Sequence, residues 1–148
     1  MSLWVIALPI LLYLFYWLFK QPVEKPKEYG IKSTTYNGEL VKSVGEKQIA
    51  DYLSANKINY VYEPGLRGIY ADPDFYLPDY GVYVEYWGLV DADNPSVKKK
   101  YTNSMRRKMA IYHKNKIKFI SIYPHNLNNL NWVFRKKFEE VTGYSLHQ

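Results

Sequence analysis

Residues 3–19, LWVIALPILLYLFYWLF, carry no charged side chain, and this run limits the possible folds more than any other feature of the chain. A helix of 17 residues is about 25 Å long, enough to cross a hydrocarbon core of about 30 Å if its ends snorkel or the bilayer thins. Trp4 lies near one end and Tyr16 and Trp17 near the other, where interfacial aromatics belong. Pro9 can kink such a helix without preventing insertion. A cleaved signal peptide fits less well, because no Lys or Arg precedes Lys20 and no small-residue cleavage site follows the run. The expectation is a permanent single-pass transmembrane helix over residues 1–20. Lys20, Lys25 and Lys27 follow directly, so the positive-inside rule places the carboxy-terminal part in the cytoplasm.

Residues 21–40 are polar, with Pro22, Pro26, Gly30 and the triplet Ser33, Thr34, Thr35. They read as a linker. Residues 41–148 then make one domain of ordinary size. The chain has no cysteine, which excludes disulfides, thiolate zinc sites and cysteine nucleophiles. His113, His125 and His147 do not pair at metal-ligand spacing, so no zinc site is expected. The net charge is +6, with basic clusters at Lys98, Lys99 and Lys100, at Arg106, Arg107 and Lys108, at Lys114, Lys116 and Lys118, and at Arg135, Lys136 and Lys137. Each cluster alone reads as a solvated face. Together, interleaved with some of the chain's 16 tyrosines, they point to a polyanionic partner, nucleic acid above all.

The periodicity predicts a helix from a Ser43 cap to about Asn56, with Glu46 completing a capping box and Ile49, Ala50 and Leu53 at helical spacing. Strands are predicted at 59–63, 75–77 and 82–87, a loop at 91–97, a basic helix at 99–114, a strand at 117–123 and a closing helix at 130–142. This order gives an α/β domain: a mixed sheet with helices on both sides.

Carboxylates at apolar positions are the informative ones. Glu85 sits in VYVEYW, a strand with no other charge. Alternation puts Tyr83, Glu85 and Trp87 on one face and Val82, Val84 and Tyr86 on the other. A carboxylate so placed must be paired, protonated or bound to a metal. Glu46 falls on the apolar side of its helix, where a capping role and a functional one are both open. Asp74, behind Pro73, alone reads as a turn aspartate at a strand edge. Asp74 and Glu85 on neighbouring strands would make a hard oxygen site suited to Mg²⁺ or Mn²⁺.

The ordered set Gly45-Glu46, Pro73-Asp74-Phe75 and Glu85-Tyr86-Trp87-Gly88, on helix, strand and strand with Tyr60-Val61-Tyr62-Glu63 between, resembles the PD-(D/E)xK nuclease superfamily over residues 41–122. The resemblance implies a restriction-endonuclease-like αβββαβ core with a closing helix. It implies a metal held by Asp74, Glu85 and the Tyr86 carbonyl, with Glu46 acting through water or a second metal. It also implies hydrolysis of phosphodiesters in nucleic acid, with DNA ahead of RNA and both open, and allows a homodimer. One position departs from the pattern: Trp87 stands where the family has its lysine. Some members bring that lysine from the following helix. Tyr101, Met105, Lys108 and Tyr112 share one helical face, so Lys108 is the candidate, with a solvated surface lysine the alternative. Lys98, Lys99, Lys100 and Arg107 are the candidate phosphate contacts. Trp87 also keeps open a module that retains the fold, has lost the chemistry and binds nucleic acid or a protein at the membrane.

Overall fold

The computed structural model of the protein describes residue 30 and residues 32–66 and 71–146. The apolar run at 3–19, with the membrane span and orientation expected from it, lies outside these residues. Among the described residues no helix is long and apolar enough to cross a membrane.

The elements follow in the order β1 (Ser33–Thr34), β2 (Leu40–Val41), α1 (Val44–Ala55), β3 (Val61–Tyr62), β4 (Phe75–Leu77), β5 (Val82–Tyr86), α2 (Pro95–Lys114), β6 (Phe119–Ile122), a 3-10 turn (Pro124–Asn129) and α3 (Leu130–Thr142). Strands β3, β4 and β5 form an antiparallel meander, and β6 joins β5 in parallel after the α2 crossover. Among the described residues the domain is therefore α/β with a mixed four-stranded sheet and three helices, in the predicted order.

Strand alternation sorts the sheet into two faces. Phe75, Leu77, Val82, Val84, Ile120 and Ile122 form one, and they pack into a single core with Ile49 and Leu53 of α1 and Phe134 and Phe138 of α3. Tyr76, Tyr83, Glu85 and Phe119 stand on the other. Helix α2 lies over that second face, with the Tyr112 ring 4.9 Å from Phe119. Tyr112 is the only residue of α2 that is fully buried.

Two local features differ from expectation, and a third falls between predicted elements. The end of the predicted linker forms the antiparallel hairpin β1–β2. It turns at Gly38 (φ 84°) and is tied to α1 by the Tyr36 amide donating to Asp51 Oδ1 at 2.8 Å. Its two-residue strands are too short to show alternation in sequence. Helix α2 begins at Pro95 rather than Lys99, because the Asn94 side chain accepts from the amides of Ser96 (2.9 Å) and Val97 (3.3 Å) and Pro95 occupies a first-turn position. The segment before α3 is a 3-10 turn, held by the Asn126 side chain accepting from the Tyr123 amide at 3.0 Å.

Candidate active site

Pairing Phe75 with Val84, carried one residue further, sets Asp74 across from Glu85 on the face that α2 covers. The Tyr86 amide donates to Asp74 Oδ2 at 2.6 Å. The other Asp74 oxygen has no protein donor among the described residues. Burial pushes the Asp74 carboxyl up to about 7, the negative charge of Glu85 adds to the rise, and the Tyr86 amide and Lys108 oppose it.

Glu85 is 1% exposed, and its partners come from α2. Lys108 Nζ lies 2.8 Å from both Glu85 oxygens and also donates to the Asp72 carbonyl. The Tyr112 hydroxyl, one helical turn further on, donates to Glu85 Oε1. Burial raises the Glu85 carboxyl above its ordinary range, and the Lys108 charge offsets part of that rise. Burial, reinforced by the bond to Glu85, also holds the Tyr112 hydroxyl firmly protonated.

The structure thus brings together Asp74, Glu85 and Lys108. The lysine reaches Glu85 from α2 and passes 5.7 Å from the ring of Trp87. Trp87 is 3% exposed, and its indole Nε1 has no partner among the described residues. The Tyr86 carbonyl lies 3.5 Å from the Tyr101 hydroxyl. The sequence placed Tyr112 on the face of Lys108, as a ring to pack in the core or stack on a base, and did not show its bond to Glu85. The available signal was its place one turn after Lys108 on the same face.

Glu46 is engaged differently. Its Oε1 accepts from the Ser43 hydroxyl at 2.9 Å. Its Oε2 accepts from the Lys42 amide at 3.0 Å and the Tyr62 hydroxyl at 2.6 Å. The Ser43 hydroxyl in turn accepts from the Glu46 amide at 3.1 Å. Three donors make Glu46 a helix cap that also ties α1 to β3. Its charge still reaches Asp74, whose carboxyl it helps to raise.

A cleft of about 380 Å³ opens between Glu46 and the end of β5, lined by Lys42, Ser43, Gly45, Tyr86, Gly88, Leu89 and Tyr101 among others. Its shape depends on the Tyr86 ring seated between two glycines. A Cβ on Gly45 would fall 2.3 Å from that ring, and one on Gly88 2.7 Å. Gly45→Ala would ordinarily stabilise a helix by about 1 kcal/mol. Here the ring must leave its seat, and a net loss of about 1–3 kcal/mol is expected. Urea melts should show that loss, and Tyr86→Ala in the same chain should relieve it.

Lys98, Lys99, Lys100 and Arg107 are all exposed on α2. Among the described residues no three His, Cys, Asp or Glu side chains are grouped to hold a metal ion. No family model, curated relative or solved structure matches this chain.

Proposed function

We propose that the domain is a restriction-endonuclease-like nuclease, tethered to the membrane by residues 3–19, that hydrolyses phosphodiester bonds of nucleic acid, DNA before RNA. The observation carrying this reading is the Asp74–Glu85 pair on adjacent strands with the Lys108 amine 2.8 Å from Glu85, which supplies the cation that Trp87 does not.

The donor set fits Mg²⁺ or Mn²⁺. Two carboxylates and the Tyr86 carbonyl are hard oxygens, Asp74 keeps one oxygen without a donor among the described residues, and Mg²⁺ takes few protein ligands beside phosphate oxygens. When bound, such an ion would neutralise charge on the scissile phosphate and activate water. The chain's own groups do the rest. Lys108 places a positive charge where negative charge grows on the phosphate. Tyr112 and the Asp72 carbonyl hold Glu85 and Lys108 in position. Lys98, Lys99, Lys100 and Arg107 bind the phosphate backbone.

The test is cleavage of plasmid DNA with Mg²⁺ or Mn²⁺ by the full chain in detergent. Loss of at least about a thousand-fold is expected for Asp74→Ala and Glu85→Ala. Cleavage that survives both substitutions defeats the assignment. Asp74 supplies a second readout. Its carboxyl is pushed up to about 7, so it must lose a proton before holding a cation. The rise in Tm on adding Mg²⁺ should therefore be larger at pH 8 than at pH 6. Without metal the sign reverses: a raised carboxyl favours the folded state at low pH, and that contribution is lost as pH climbs through about 7.

One observation favours a second reading. Both oxygens of Glu85 are already bonded to Lys108 and Tyr112, as in a site that has closed on itself. The domain would then be a catalytically inactive module that binds nucleic acid or a protein partner at the membrane. Salt-sensitive DNA binding with no cleavage, and no Tm response to Mg²⁺, would select it.

A further inference from the structure

The acids do not stand alone on their face of the sheet. Tyr76 lies two residues after Asp74 and Tyr83 two before Glu85, so both tyrosines share the acids' face, about 7 Å along the strands. They are directly paired across β4 and β5. Their rings lie 4.6 Å apart at 32°. Val61 flanks the pair on β3 and Phe119 on β6, giving a cross-sheet row with no carboxylate. Val61 is 47% exposed, and Tyr76, Tyr83 and Phe119 are half-buried, whereas Phe75, Leu77, Val82 and Val84 on the other face are fully buried. Helix α2 touches this row through Tyr112 and His113 on Phe119. Among the described residues no ring contact or hydrogen bond from α2 reaches Tyr76 or Tyr83. His113 packs on Phe119 at the end of α2, and the exposed Lys114 and Lys116 follow it in the chain.

We propose that the Tyr76–Tyr83 pair is a stacking platform for an unpaired base, so that the chain's ligand is a single-stranded polynucleotide or the unpaired part of a larger one. This rests on the nuclease reading and names its substrate class. Bases inside a duplex stack on one another, and their faces are free for protein rings only when unpaired. A phosphate backbone lying at Asp74 and Glu85 brings a neighbouring base over the tyrosines, and the cations at the end of α2 match its charge. A tyrosine pair that served only to join strands would stabilise the sheet and leave binding untouched, which separates the two roles.

The experiment is fluorescence anisotropy with the full chain in detergent and EDTA, so that nothing is cut. The probes are short labelled oligo(dT), oligo(rU) and a duplex of equal length. Tighter binding of single strands than of duplex is expected. Tyr76→Leu with Tyr83→Leu should weaken single-strand binding about ten-fold or more and leave duplex binding unchanged, while the corresponding Phe pair should bind as the parent does. Equal losses for oligo(dT) and oligo(rU) fit stacking alone, and a loss confined to one assigns the sugar as well. Unchanged single-strand binding by the Leu pair, or no preference over duplex in the parent, overturns the platform. In case the Leu pair fails to fold, photocrosslinking of a 5-iodouracil oligonucleotide to the unmodified chain should label the peptide holding Tyr76 or Tyr83, and labelling confined elsewhere overturns it too. Single-strand binding that needs the pair, without cleavage in Mg²⁺ or Mn²⁺, keeps the platform and sinks the nuclease reading. Failure of the parent to bind any polynucleotide sinks both.

Discussion

Tyr112→Ala is expected to cost about 3–5 kcal/mol, the range for removing a large buried ring. No other residue of α2 is fully buried, and the same ring packs on Phe119 and bonds Glu85. The loss therefore falls on the fully buried ring that, with the Asp72 carbonyl, holds Lys108 and Glu85 in position, and on the proposed reading cleavage should vanish with it. Tyr112→Phe separates the two contributions. It keeps the packing and removes one charge-assisted bond to Glu85 Oε1, which Lys108 still reaches, a cost of about 1.5–3 kcal/mol. Urea denaturation monitored by circular dichroism would measure both. An alanine variant as stable as the parent would mean that α2 is held by something other than this ring.

Lys108→Met is the second large effect. It leaves Glu85, 1% exposed, without a countercharge. Breaking a fully buried pair costs about 3–5 kcal/mol, and about 2–3 kcal/mol is expected here because the lysine side chain is 23% exposed. The sign of the pH dependence follows from burial. Glu85 already sits above the ordinary carboxylate range, and losing Lys108 lifts it further. The variant therefore keeps its stability at acidic pH, where Glu85 is protonated, and loses it as pH rises through the raised value. The gap to the parent should be smallest at acidic pH and widen as pH rises. Adding Glu85→Leu should recover most of the loss, since removing both partners avoids the lone charge. A gap that does not change with pH would show that the Lys108 stem, not its charge, holds the site together.

Sequence and structure agree where a pattern was long enough to be periodic. Ile49, Ala50 and Leu53 marked the inner face of α1, and VYVEYW marked β5 with Glu85 on the face opposite the core. Lys108 was readable because Tyr101, Met105 and Tyr112 share its side of α2. What escaped depended on contacts between distant segments. Nothing near Glu46 announced that Tyr62, 16 residues later, would complete its set of donors and turn an ambiguous acid into a cap. Gly45 carried no sign that it seats the ring of Tyr86. The β1–β2 hairpin has strands too short to alternate, and it is fixed by side chains of α1 rather than by its own pattern. Asp74 was the least legible of the acids, since its environment is made by the amide of Tyr86 on a neighbouring strand.

Strand β3 has a consequence for self-association. It is the outermost strand on its side of the sheet and only two residues long. Glu63 leaves the extended region at once (φ 46°), pairs with Lys42 and is followed by Pro64, which has no amide to donate. Long, flat, uncharged edges invite another chain to add a strand, and short edges closed by charge and proline do not. Copies of this domain brought close together would thus find little ladder at β3 on which to continue the sheet.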